Sequence, residues 1–274
     1  MKARIVAPSS KLGDLDKLQA GLELLSSWGI QLELAAITDR SWHYLAGSDA
    51  ERLADFDGCA DLWACARGGW GAARLLERGW QPPQGLLLGF SDITTLLWAK
   101  QAAAANYQGA LHGPLVTTLA AEPSWSQSRL RDLLQGKSLV PLHGEGWGGG
   151  VAEGPLLVAN LTVATHLLGT PWCPDLEGAV LILEDVSEAP YRIDRMLTHW
   201  RLCGALQKLA AIGFGDFTDC GEDFELVLQE RTASLGIPRM ARLPVGHGSC
   251  NAVLPLGQIA RLDADQGLLS LAPP

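Results

Sequence analysis

Ser91 stands where a nucleophile could be made. The run Leu86-Leu87-Leu88 reads as a buried strand, Gly89 and Phe90 follow, and Ile93 to Ala104 reads as a helix. Hydrolases of several folds hold a serine at such a strand-to-helix turn, exposed beside the first backbone N–H groups of the helix. A simpler use of the same residues is capping of the helix by Ser91 or Asp92, and the usual last glycine of the elbow is replaced here by Ile93.

A serine nucleophile needs a base, and the base needs an orienting group. Of the six histidines only His247 lies between two glycines, Gly246 and Gly248. Small neighbours leave an imidazole accessible, and its ordinary pKa near neutrality suits proton transfer. His112, in Leu111-His112-Gly113-Pro114, is the second candidate and fits equally a structural histidine at a strand end. The apolar run from Ala179 to Leu183 reads as a buried strand that delivers Glu184 and Asp185 at its end. An acid there could orient the base; Glu188 is a rival, and each acid alone also fits a cap or a surface charge.

Arg67-Gly68-Gly69-Trp70-Gly71 follows another predicted strand, at the edge where open α/β sheets bind ligands. Its glycines let backbone N–H groups approach a substrate, or they serve an ordinary tight turn. The spacing is not the GxGxxG of a dinucleotide site. Gly136-Lys137-Ser138 lacks the upstream glycine of a phosphate loop, because that position is Arg131. Asn160-Leu161-Thr162 fits a glycosylation triplet, but no secretory signal precedes it.

The elements that position these residues alternate through the first half. Strands are predicted over Arg4 to Ala7, Gln31 to Ala35 and Asp61 to Ala66. Helices are predicted from Leu15 through Leu25 with Gly29 as C-terminal cap, from Ala50 to Phe56 and from Gly71 to Arg78. Alternation of this kind gives a parallel sheet covered on both faces. The segment Pro141 to Gly150 (PLHGEGWGGG) suits an interdomain linker or an exposed loop. The expected division is therefore an N-terminal α/β domain over 1–140, a Gly-rich linker over 141–153 and a C-terminal domain over 154–274. In the latter, 155–169 reads as an apolar segment then a helix, Ile193 to Leu206 as a helix and 258–271 as a terminal hairpin.

Composition bounds the class. The chain has 274 residues, 47% hydrophobic and 19% charged, which describes an ordered globular protein with ample core. A net charge of −9 argues against a nucleic-acid surface. Six cysteines (Cys59, Cys65, Cys173, Cys203, Cys220 and Cys250) lack any CxxC pair, so mostly buried thiols are expected rather than a metal site or disulfide framework. With neither signal peptide nor membrane-length apolar run, a cytoplasmic, non-membrane location is the expectation.

Taken in order, the motifs resemble the LD-carboxypeptidase family of serine peptidases, which includes murein tetrapeptide carboxypeptidases and microcin C self-immunity peptidases. The resemblance spans Val6-Ala7-Pro8-Ser9, Arg67-Gly68-Gly69-Trp70-Gly71, Gly89-Phe90-Ser91-Asp92-Ile93-Thr94, His112-Gly113-Pro114 and Asn160-Leu161-Thr162. It continues through Leu183-Glu184-Asp185, Pro190 to Leu197, Gly246-His247-Gly248, Asn251 and Leu254-Pro255-Leu256-Gly257. Departures are Trp70 and Phe90, where tyrosine is usual, and Val158-Ala159, which replaces a glycine pair.

The resemblance implies a flavodoxin-like α/β sandwich followed by a smaller C-terminal domain of mixed sheets and helices, with the site at their junction. It implies a catalytic triad of Ser91, Glu184 and His247. Backbone N–H groups of Asp92 and of Gly68 or Gly69 would form the oxyanion hole, and Arg67, Trp70 and Arg192 are candidates for substrate contact. No metal and no cofactor are implied. The implied substrate is a murein tetrapeptide whose terminal D-alanine follows the L-centre of a diamino acid, and the implied assembly is a homodimer. An immunity peptidase acting on aminoacyl-nucleotide conjugates would use the same triad, and a non-catalytic binding protein on this fold is the remaining alternative.

Overall fold

The computed structural model describes residues 1–103 and 108–272. The first half builds β1 (Lys2–Val6), α1 (Leu15–Ser27), β2 (Gln31–Leu34), α2 (Asp49–Ala54), β3 (Leu62–Cys65), α3 (Ala72–Glu77), β4 (Leu86–Gly89), α4 (Thr94–Ala102), β5 (Ala110–His112), α5 (Val116–Leu119) and α6 (Ser124–Leu134). The second half builds β6 (Leu142–His143), β7 (Glu145–Gly148), β8 (Val151–Asn160), α7 (Leu161–Leu167), β9 (Val180–Val186), α8 (Pro190–Leu202), β10 (Ala211–Thr218), α9 (Phe224–Ala233), β11 (Arg239–Ala241), β12 (Leu254–Pro255), β13 (Ile259–Asp263) and β14 (Leu268–Leu271).

The first sheet runs β12-β5-β4-β3-β1-β2. Its five N-terminal strands are parallel, in the 2-1-3-4-5 order of doubly wound folds. Side chains alternate across it with the period of two that a strand imposes. Ala3, Ile5, Leu62, Ala64 and Leu88 join the cluster under α1 and α5, while Val6, Trp63, Cys65 and Leu87 enter the cluster on the other face. The second sheet runs β6-β14-β13-β8-β9-β10-β11-β7. Its centre, β8 to β11, is parallel, and antiparallel strands flank it.

Helix α4 connects the two sheets. Every residue from Thr94 to Gln101 is buried, as expected of a helix that faces protein on all sides. Trp98 Nε1 donates to the Val158 carbonyl at 3.0 Å, and its ring meets Trp200 of α8 edge-on at 6.2 Å. Ser91 lies at the N-terminal end of this helix, so the same packing that joins the sheets holds the serine.

Several expectations change. Residues 141–153 are not a linker, because β6, β7 and the start of β8 pair within the second sheet. Gly144, Gly146 and Gly149 serve close approaches, since a Cβ on Gly146 would lie 1.7 Å from the Ala264 carbonyl oxygen, whereas Gly148 and Gly150 take left-handed φ of 90° and 81° in open space. The C-terminal part also returns to the first sheet, where Leu254 of β12 pairs with His112, and one buried cluster extends from Trp63 to Leu269. The helix expected from Ile193 starts at Pro190, whose fixed φ suits a first turn, and ends before Gly204 (φ 76°). Ala104, the expected end of α4, lies outside the described residues. Only Cys65 and Cys220 are buried. Cys59 precedes β3 and Cys203 ends α8, both at exposed positions. No helix among the described residues is long and apolar enough to cross a membrane.

Candidate active site

β4 ends at Gly89, and a one-turn 3-10 segment, Ser91–Ile93, leads into α4. Ser91 has φ 62°, a left-handed conformation that costs a non-glycine residue about 1–2 kcal/mol. The turn closes over Gly89, where a Cβ would fall 2.8 Å from Ile93 Cγ2. Strain stored under a serine at a strand–helix turn is the signature of a nucleophile elbow. Ser91→Gly should therefore be more stable than Ser91→Ala by about 1 kcal/mol in denaturant unfolding.

Asp92 does not cap the helix toward solvent. Its carboxylate is buried, and Oδ2 accepts from Ser9 Oγ at 2.5 Å and from the Ala72 N–H at 2.9 Å. Burial raises its pKa. The loops after β1, β3 and β4 are thus fastened to one side chain, at the switch point where strand order reverses.

The glycine loop lies against the serine. A Cβ on Gly68 would stand 3.1 Å from Ser91 Oγ, and one on Gly69 (φ 105°) would stand 2.3 Å from Ser10 Oγ. The Gly68 carbonyl accepts from the Ser10 N–H at 3.2 Å, and Ser10 Oγ accepts from the Trp70 N–H at 3.1 Å. The N–H groups of Asp92, Gly68 and Gly69 donate to no protein acceptor among the described residues.

On the other side, β9 carries Glu184 to the edge of the second sheet, fully buried. Its Oε2 meets His247 Nδ1 at 2.6 Å. Gly246 makes the approach possible: its φ is 120°, and a Cβ there would fall 2.8 Å from Glu184 Oε2. Burial alone would lower the imidazole pKa, but the hydrogen bond and charge of Glu184 outweigh it, so His247 is raised above 6.5. The Glu184 carboxyl is itself pushed up by burial, against the stabilising His247. With Nδ1 engaged, Nε2 is the ring nitrogen left for proton transfer. The ring of Phe90, the residue before Ser91, lies 4.6 Å from the His247 ring.

His112 is a supporting residue. It is buried, and desolvation above all pushes its pKa down to about 3, so it is neutral. Its Nε2 lies 3.2 Å from Asn251 Oδ1, which also accepts the Gly246 N–H at 3.0 Å. The Asn251 N–H donates to Glu122 at 2.8 Å. This chain fixes the histidine loop, and Asn251→Ala should lower kcat/KM by about 10–100-fold through loss of registration. Its check is steady-state kinetics beside a thermal unfolding curve.

The remaining candidates separate. Glu188 pairs with Arg192 at 3.5 Å, so of the two acids it is Glu184 that meets the histidine. Arg192 is exposed on α8 and also donates to Tyr191 Oη at 3.2 Å. Arg67 donates to the Lys11 carbonyl at 2.7 Å, beside the glycine loop, and Trp70 is exposed there. Asp185 is structural: it accepts from Asn160 Nδ2 at 2.9 Å and from the Thr162 N–H and hydroxyl at 2.9 and 2.8 Å. Sequence reasoning missed the inward carboxylate of Asp92 and its partner Ser9. The only sequence signal for that contact is the pairing of a serine after β1 with an aspartate after β4.

Comparison with known proteins identifies the family. Residues 3–113 match the LD-carboxypeptidase N-terminal domain and residues 153–262 its C-terminal domain. A Synechocystis sp. protein, provisionally named a carboxypeptidase, is 45% identical over 97% of this chain and 92% of its own length. The murein tetrapeptide carboxypeptidase of Pseudomonas aeruginosa is 32% identical over 97% of this chain and 94% of its own. The microcin C7 self-immunity protein of Escherichia coli is 25% identical over 92% of this chain and 86% of its own. Among solved structures, muramoyltetrapeptide carboxypeptidase from Oxalobacter formigenes superposes with TM-score 0.84 at 27% identity, covering 99% and 98% of the two chains. This chain belongs to the LD-carboxypeptidase family of serine peptidases.

Proposed function

We propose that this protein is a cytoplasmic LD-carboxypeptidase that hydrolyses the bond between the L-centre of a diamino acid and the terminal D-alanine of murein tetrapeptide, in recycling of the cell wall. The observation that carries the reading is the 2.6 Å contact between His247 Nδ1 and the buried Glu184 carboxylate, on a ring that also touches the residue preceding the strained Ser91.

In this mechanism His247 Nε2 takes the Ser91 proton as Oγ attacks the scissile carbonyl. Glu184 holds the imidazole tautomer and stabilises the imidazolium. The oxyanion is met by the N–H of Asp92 and that of Gly68 or Gly69, each such donor contributing about 3 kcal/mol. The C–N bond then breaks, the D-alanine amine receives the proton from His247, and an acyl-enzyme on Ser91 remains. Water, deprotonated by His247, releases it. We assign the D-alanine carboxylate to Arg67, which lies beside the glycine loop and donates to the Lys11 carbonyl; Arg192, the other candidate, pairs with Glu188. The family resemblance extends to a homodimer, which light scattering would test.

Three substrates distinguish the readings. The tetrapeptide ending in D-alanine should be cleaved, and its diastereomer ending in L-alanine should not. Cleavage of an aminoacyl sulfamoyl adenosine with no action on the tetrapeptide would replace the murein reading by the immunity-peptidase one. Binding without cleavage of any of them would indicate a non-catalytic protein.

A further inference from the structure

A second carboxylate flanks the histidine loop. The pairing of β9 with β10 slips: Leu183 faces Phe214 and Asp185 faces Phe217, so Gly215 and Asp216 together oppose Glu184. Such a bulge re-aims a side chain at a sheet edge. The loop after β11 crosses both acids. A Cβ on Gly246 would meet Glu184, and a Cβ on Gly248 would stand 2.1 Å from Asp216 Oδ2. Glu184 is engaged by His247, whereas the Asp216 carboxylate has no hydrogen bond or salt bridge among the described residues.

Asp216 opens on a cavity of about 470 Å³ whose lining includes Trp147, Phe214, Phe217, Phe224 and Ser249. The aromatic rings pack on one another, Trp147 with Phe214 at 5.6 Å and Phe217 stacked on Phe224 at 5.6 Å. Glu225 and Arg242 also line it, but they pair with each other at 3.4 Å, and Arg242 also pairs with Glu145 at 3.1 Å. The charge left uncompensated is that of Asp216. Its half-burial raises its pKa, a desolvation cost that a bound cation would offset. Apolar walls beside a lone carboxylate favour an ammonium group on an alkyl stem, the carboxylate meeting the charge and the walls the stem.

We propose that this cavity is an ammonium subsite that receives the side-chain amine of the diamino acid on the acyl side of the scissile bond. The inference rests on the LD-carboxypeptidase reading, which puts that residue's carbonyl at Ser91; the loop that carries His247 also reaches the cavity, with Gly248 against Asp216 and Ser249 in the lining. Asp216 then determines specificity, setting affinity for the amine-bearing substrate without touching the reacting atoms.

The test compares two tetrapeptides, one with a free side-chain amine and one with that amine N-acetylated, on wild type and Asp216→Asn. Wild type should favour the free amine at least tenfold in kcat/KM, chiefly through KM, and the ratio should fall to near one in the variant. An unchanged ratio in the variant would overturn the subsite, whatever happens to the absolute rates. Should wild type cleave neither peptide, the functional reading fails, and the subsite is decided by calorimetric titration of Nα-acetyl-lysine amide. Binding to wild type that weakens at least tenfold in Asp216→Asn, with none of the doubly acetylated analogue, supports it. No binding to wild type, or equal binding of the neutral analogue, overturns it without recourse to a variant.

Discussion

Glu184→Gln should lower kcat by about 10³–10⁴-fold, with the fold intact and KM little changed. An amide keeps the size of the side chain and can still accept from Nδ1–H, but it can also present its NH2 and favour the wrong tautomer. It also removes the charge that stabilises the imidazolium. The second signature is the pH profile. Catalysis needs the neutral imidazole, and in wild type the His247 pKa lies above 6.5 because Glu184 favours the cation. The acid limb of kcat/KM should therefore lie above pH 6.5, activity falling as pH drops through it. In Glu184→Gln burial still disfavours the cation while its partner is gone, so the limb should move to lower pH even as the maximum collapses. A limb that stays in place would remove Glu184 from the role assigned to it.

Ser91→Ala should have the largest effect, about 10⁶-fold in kcat, leaving only what the oxyanion donors and binding supply. Substrate affinity should survive, because Gly68, Gly69 and the Asp92 anchor stay in place and the alanine keeps the left-handed backbone of the elbow. Equilibrium binding of the tetrapeptide to the variant, measured by calorimetry, separates this from unfolding. A variant that no longer binds would show that the serine holds the site together rather than acting on the substrate.

The parts of this site that local sequence betrays are those built from a strand and the turn at its end. Leu86–Leu88 and Ala179–Leu183 are apolar runs long enough for buried strands, so Ser91 and Glu184 could be placed at strand ends from the pattern alone. Two glycines mark His247 because only they admit the approach to Glu184 and Asp216. The features that stayed hidden depend on distant pairing. The glycine-rich stretch at 141–150 reads as a linker until β7 finds β11, where Arg239 meets Gly148. Likewise, nothing local tells that Leu254 returns to the edge of the first sheet beside His112. Asp92 looks like a helix cap because capping is the common use of aspartate before a helix. Its inward turn is dictated by Ser9 and Ala72, each far away in the chain. The bulge that frees Asp216 leaves no mark in the β10 sequence beyond Gly215.

Mass spectrometry of murein tetrapeptide incubated with wild type and with Ser91→Ala tests the central claim most directly. The tetrapeptide should lose one alanine with wild type, with free D-alanine appearing, and should stay intact with the variant. An unchanged peptide with wild type, or equal release by both proteins, would contradict Ser91 as the nucleophile of an LD-carboxypeptidase.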